Sequence, residues 1–193
     1  MCEKRMLILE RALSSLSGYD GWMLGSVAFF FDQKDRNVDM AECQLQVMHK
    51  RERFVKVEIV CLETKDRLLV LLIDSEREMK NRNKVQDFTS VCTEDTKEKF
   101  MVTRKETDRY LGLSGDKNPI HTGNLAIVPG FLMVNRLAAQ QKDAYAAIEA
   151  RFYHPLYIGE FARLVERKET KYRSVDLFQD QRRILQIKFY DRD

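Results

Sequence analysis

A repeat within the chain constrains its fold more than any other feature. Residues Glu42 to Val60, "ECQLQVMHKRERFVKVEIV", align position for position and without a gap on Glu160 to Phe178, "EFARLVERKETKYRSVDLF". Strand, charged turn and strand coincide in the two stretches. Upstream of each, a helical segment ends in a matching place, "RALSSL" before the first and "RLAAQQ" before the second. A repeat of about 100 residues is too long for a solenoid unit, so the chain reads as two copies of one small α+β module. Alternation alone would align any two β-meanders. It does not explain why both copies run in the order one helix, then four strands.

In the first copy "MLILERALSSLSG" places Leu7, Ile8, Arg11, Ala12 and Leu16 on helical spacing and stops at Gly18. "SVAFFFD", "ECQLQVMH", "FVKVEIVC" and "RLLVLLI" follow as four antiparallel strands, broken by charged turns such as "KRER" and "ETKD". In the second copy the helix is "GFLMVNRLAAQQ" and the strands are "AIEARFY", "EFARLVER", "KYRSVDLF" and "RILQIKFY". The polar stretch "EREMKNRNKVQDFTSVCTEDTKEK" lies between the copies. The expected division is an N-terminal module over 1–84, a linker over 85–98 and a C-terminal module over 99–193. One sheet with one helix leaves an apolar face partly bare and two strand edges open. Wrapping each sheet around its helix and joining the two edge to edge removes both liabilities. The expected fold is therefore α+β, with two antiparallel sheets joined edge to edge, each wrapped around a central helix.

A hydrophobic content of 44% over 193 residues suffices for a sizeable core. No apolar run reaches the roughly 18 residues of a membrane span, and the first residues lack the order of a signal peptide. A soluble cytoplasmic protein without a membrane partner is expected. The 33 basic and 30 acidic residues are well mixed, which describes a solvated surface rather than a nucleic-acid footprint. Cys2, Cys43, Cys61 and Cys92 form no CxxC pair, so neither a zinc site nor a disulfide framework is expected, and Cys43 and Cys61 read as small core residues. His49 and His154 fall in or beside strands without ligand-like spacing; no metal and no cofactor are predicted.

Only the second copy carries a front section, from about Lys99 to Pro129, and the chemistry-bearing residues gather there. "KFMVTRKETDRYLGLSG" reads as a short strand and a helix opening at Thr103, with Glu106 completing a capping box and Tyr110, Leu111 and Leu113 as its buried face. The turn "SGDKNP" ends that helix. Gly115 and Pro119 stiffen the turn, and Asn118 can bond the main chain locally. Asp116 and His121 sit across it, placed to converge on one water molecule and share general acid and base work. The same two residues also fit an Asx turn and a surface histidine. Gly130 opens the next helix just behind Pro129, and a helix N-terminus suits a carbonyl oxygen that becomes an oxyanion.

The string "YLGLSGDKNPIH", followed by "IVPGFLM", resembles the hydratase signature of the MaoC-like family, the R-specific enoyl-thioester hydratases and 3-hydroxyacyl-thioester dehydratases. Ser114, Gly115, Asp116, Asn118, Pro119, Ile120 and His121 match it position by position. The resemblance implies the hotdog fold, here as a double hotdog whose first module lacks the motif and helps to shape the acyl tunnel. It implies Asp116 and His121 as the catalytic pair, the Gly130 amide as the thioester carbonyl's oxyanion hole, and Asn118 as the residue that orients the loop. The implied partner is an acyl thioester of coenzyme A or acyl carrier protein, with Arg104, Lys105, Lys117 and Arg136 as candidates to meet the carrier. Such chemistry belongs to fatty-acid, polyketide or β-oxidation metabolism. The chain would be a monomeric double hotdog or a homodimer of it. In two places the sequence departs from the family. "TGNLAIVP" after His121 is short, which points to an open acyl pocket. The small polar residue of the family's central helix falls near Ala138, with Asn135 in the neighbouring turn. The alternative reading is a non-catalytic acyl-thioester-binding or assembly subunit.

Overall fold

A computed structural model describes residues 2–32, 41–74, 99–141 and 145–192. The expected linker over 85–98 lies outside them. The first half contributes α1 (Cys2–Leu13) and strands β1 (Met23–Phe30), β2 (Cys43–Arg51), β3 (Phe54–Cys61) and β4 (Arg67–Ile73). The second contributes β5 (Lys99–Met101), α2 (Arg104–Ser114), a 3-10 turn over Pro119–His121, α3 (Gly130–Gln140), β6 (Tyr145–Phe152), β7 (Phe161–Lys168), β8 (Arg173–Gln179) and β9 (Arg182–Asp191). All eight strands read from the two copies form, as does the short β5. None of the helices among the described residues is long and apolar enough to cross a membrane.

The strands make one nine-stranded sheet in the order β2-β3-β4-β1-β6-β9-β8-β7-β5. The expectation of two sheets is thus corrected to one continuous sheet. Its halves meet where β1 pairs antiparallel with β6, from Ser26 opposite Arg151 to Phe30 opposite Ala147. The order of the second half mirrors that of the first about this seam. Beside the turn the repeat also holds in register: it carries the pairs His49–Lys56 and Lys50–Val55 of β2 and β3 onto Arg167–Ser174 and Lys168–Arg173, which are paired in β7 and β8, while beyond the irregularity between Val47 and His49 the two registers differ by one residue.

One apolar cluster runs through both halves, from Met6 and Leu9 of α1 through Val27, Phe29 and Val57 to Leu137, Ile148, Leu177 and Phe189. α1 packs against α3, α2, β2 and β3, and the Phe131 ring of α3 meets Phe29 of β1 edge-on at 5.9 Å. The buried face of α1 differs from the one its spacing suggested. Arg5, Met6, Leu9 and Glu10 are buried, Arg11 is exposed, and the helix ends at Leu13, short of Gly18. Two charged residues on the inward face account for the misreading, because a hydrophobicity pattern discounts them. α2 differs likewise: it buries Thr107, Tyr110 and Ser114 while Leu113 is exposed. Cys61 is buried, and Cys43, opposite it on the edge strand β2, is half-buried.

Arg5 is buried in a closed ion pair. Its Nε donates to Asp66 Oδ2 at 2.7 Å, its Nη2 bonds both Asp66 Oδ1 and the Asp32 carbonyl, and the Asp32 amide donates to Asp66 Oδ1. Helix α1 is thereby tied to the end of β1 and the start of β4. Replacing Asp66 by Ala strands a buried guanidinium without its carboxylate. The expected loss is about 3–5 kcal/mol in urea unfolding, whereas removing an exposed pair such as Arg67–Glu58 should cost no more than about 1 kcal/mol.

Candidate active site

Short polar side chains build the loop behind α2. The capping box forms as its sequence suggests: the Thr103 side chain accepts from the Glu106 amide, and Glu106 Oε2 accepts from the Thr103 amide at 2.8 Å. At the other end Gly115 adopts φ 72°, and its N–H closes on the Leu111 carbonyl at 3.0 Å. A side chain is disfavoured in that left-handed conformation. Beyond it the Asp116 amide donates to Ser114 Oγ at 3.3 Å, and Asp116 Oδ1 accepts from the Asn118 amide at 2.9 Å. Asp116 is therefore held by an Asx turn while its second oxygen stays available.

Asn118 does two jobs. Its Oδ1 caps the 3-10 turn by accepting from the Ile120 amide at 3.4 Å, and it also accepts from the Gly21 amide at 3.0 Å. Its Nδ2 donates to the Trp22 carbonyl at 2.8 Å. The loop of the second half is thus hooked to the main chain of the first.

His121 is not a surface residue: its side chain is 7% exposed, against 29% for Asp116. Its Nδ1 lies 2.8 Å from the Ile127 carbonyl. A carbonyl can only accept, so this contact assigns the ring proton to Nδ1 and leaves Nε2 a bare acceptor in the neutral ring. Nε2 lies 3.4 Å from Asp116 Oδ2. Burial works to raise the Asp116 pKa, but with His121 in its protonated form the Nε2–H bond and the ring's charge, together with the Asn118 amide, outweigh it and hold the carboxyl below its usual range. Two acceptors side by side can be satisfied by a shared proton or by the two hydrogens of one water.

α3 begins at Gly130 behind Pro129 with no side-chain cap. The first-turn amides of a helix have no acceptor within the helix and carry partial positive charge. A Cβ on Gly130 would lie 2.7 Å from Leu24 Cδ1 and 2.9 Å from Phe152 Cε1, so glycine lets this helix start press between β1 and β6. Asp116, Asn118, His121 and Gly130 all line one cavity. Its apolar walls come from both halves, Leu13, Trp22 and Leu24 from the first and Phe131, Met133 and Phe152 from the second. Apolar walls with a few convergent polar groups are the usual make-up of a small-molecule site.

Of the four basic residues suggested for a carrier, only Lys117 lines the cavity. Arg104 donates to the carbonyls of His121 and Gly123, and Arg136 donates to the Met101 carbonyl, pairs with Glu106 and stacks over Phe100. Both clamp the fold. Lys105 is exposed on α2 and is not part of the cavity wall. The short segment after His121 is pinned: the Ile127 amide bonds the Ile120 carbonyl at 2.9 Å and the Val128 amide bonds that of Leu156 at 2.8 Å. Among the described residues no three His, Cys, Asp or Glu side chains are grouped as a metal site.

Two cavity residues escaped the reading of the sequence. His154 lines the wall although it stands in the turn after a strand, where nothing in the spacing marks it. Glu10 also lines it and is 3% exposed. Its signal was available: Met6, Leu9, Glu10 and Leu13 are one helical face, and a carboxylate among three apolar residues there stands out.

No protein-family model matches the sequence, and no curated protein does either. Solved structures do match. HtdX of Mycobacterium tuberculosis is 14% identical with a TM-score of 0.68, over 98% of this chain and 87% of that one. A MaoC-like dehydratase from Phytophthora capsici is 13% identical with a TM-score of 0.61, over 92% and 72%. An acyl-ACP thioesterase from Bacteroides thetaiotaomicron is 9% identical with a TM-score of 0.58, over 88% and 75%. The chain therefore shares its fold, the hotdog fold, with these structures, a MaoC-like dehydratase and a thioesterase among them.

Proposed function

We propose that the protein is a hydro-lyase that interconverts trans-2-enoyl thioesters and R-3-hydroxyacyl thioesters, working as a double hotdog with one active site. The observation that supports this reading best is the pairing of Asp116 Oδ2 with a His121 Nε2 whose proton is fixed on the far nitrogen, inside a cavity that a helix N-terminus also lines. In hydration, the two acceptors hold one water by its hydrogens and leave its oxygen lone pairs free for the β-carbon. As the C–O bond forms, a water proton passes to the pair, which returns it to the α-carbon. The electron pair of the C=C bond moves toward the thioester carbonyl on the way. Its oxygen then carries enolate charge, which the Gly130 amide meets with a fixed donor. Dehydration runs the same steps in reverse, so the direction follows from substrate supply. The carrier is coenzyme A or acyl carrier protein; both end in the same phosphopantetheine thioester.

A thioesterase must aim its water at the carbonyl carbon and lose the thiolate. The carbonyl-stabilising amide and the water-handling pair here suit addition at the β-carbon, and the match of Ser114 to His121 with the hydratase signature favours the same chemistry.

Asp116→Asn and His121→Ala should each lower the hydration of crotonyl thioester by at least about a hundredfold while far-UV circular dichroism and unfolding midpoint stay close to wild type. Wild-type protein that hydrates no short, medium or long enoyl thioester on either carrier would overturn the reading in favour of a non-catalytic acyl-thioester-binding subunit. Gly130→Ala should reduce kcat and also stability, by about 1–3 kcal/mol, because its methyl group must displace Leu24 and the Phe152 ring. Equal kcat in that variant would remove Gly130 from the site.

A further inference from the structure

Glu10 comes from the half without the signature, yet its carboxyl stands in the cavity wall. Tyr110 of α2 donates its hydroxyl to Glu10 Oε2 at 2.8 Å, and Asn135 of α3 donates its Nδ2 to Oε1 at 3.1 Å and Oε2 at 3.2 Å. Three helices therefore meet on one carboxyl group. Tyr110 stands one turn before Ser114, whose Oγ receives the Asp116 amide, so α2's last turn links this cluster to the loop. The neighbouring turn of α1 reaches the same place, since Arg11 Nε donates to the Leu113 carbonyl at 2.7 Å.

We propose that Glu10 is a positioning residue of the site: by gathering Tyr110 and Asn135 onto α1, it fixes the Asp116 loop relative to the helix that carries Gly130. The role extends the proposed hydro-lyase reading, and its kinetic consequence rests on that reading.

Burial of Glu10 also couples the fold to pH. The groups that act on it are Tyr110 of α2, Asn135 of α3 and the charge of Asp116 in the loop, with no lysine, arginine or histidine among them. Burial, the largest influence, pushes its pKa up to about 7 from 4.5; the Asp116 charge adds to this, and the hydrogen bonds from Tyr110 and Asn135 oppose it. The folded protein thus holds the Glu10 proton more tightly than the unfolded chain. Stability contributed by this group is present at low pH and is lost as pH rises through about 7. Above that pH an ionised Glu10 burdens the fold. A neutral glutamine in its place should therefore stabilise the fold above that pH whatever the role of Glu10, so positioning is read at the loop and in turnover.

Glu10→Gln tests this with three readouts. The Tm at pH 8 should exceed that of wild type by about 3 °C or more, with the gain shrinking at pH 5. Hydrogen–deuterium exchange of the Asp116 and Asn118 amides should nevertheless quicken by about tenfold, and Tyr110→Phe should quicken the same two amides. With an enoyl thioester, kcat should fall by about tenfold to a hundredfold with KM little changed. A Glu10→Gln protein whose Asp116 and Asn118 amides exchange no faster than in wild type overturns the assignment. If wild type turns over no enoyl thioester, the hydro-lyase reading fails on its own, and the exchange measurements still decide the role of Glu10.

Discussion

The pairing of β1 with β6 is the constraint on which the rest of the structure depends. Each half alone is a small sheet with a raw edge, and an open edge offers unpaired N–H and C=O groups to any other strand. Joining the halves along that edge satisfies both rows at once. It also places the helix start at Gly130 beside Leu24 of β1 and Phe152 of β6, so the seam that closes the sheet also shapes the cavity. The buried Arg5–Asp66 pair then anchors α1 across the first half, and α1 brings Glu10 to the second.

Sequence pattern carried the strands because alternation survives both copies, and the repeat carried the pairing of β7 with β8 next to their turn from that of β2 with β3. The signature string carried Asp116 and His121, whose bonds run to neighbours within a few residues, whereas Asn118 is also held by Gly21 and Trp22 far away in the sequence. Patterns of this kind are blind where inward charge is at stake. Arg5 and Glu10 point into the core for reasons that lie sixty and more residues away, in Asp66, Tyr110 and Asn135. The same blindness made Arg104 and Arg136 candidates to meet the carrier, when both are bonded to main-chain carbonyls. The edge-to-edge join follows from the need to cover open edges, but that β1 and β6 make it is a property of the seam, which no single strand records.

The cavity mixes two sorts of polar group. Asp116 and His121 are pressed together, and their bonds lower the carboxyl's affinity for protons. Glu10 sits among neutral partners, and burial raises its affinity. The two carboxyls are thus driven in opposite directions by their surroundings. A chain with only the Asp–His pair would have one ionisable centre; the first half adds a second.

The Asn118 hook has a consequence for how the two halves can change over time. Its partners across the seam are the amide of Gly21 and the carbonyl of Trp22, atoms that every non-proline residue carries. Recognition of this kind ignores side-chain identity, so mutation of position 22 leaves the hook's acceptor in place. Position 21 is bound more tightly, since its φ of 80° favours glycine. The hook therefore asks only that the first half keep this one turn in shape, while Glu10 and the Arg5–Asp66 pair constrain that half through their side chains.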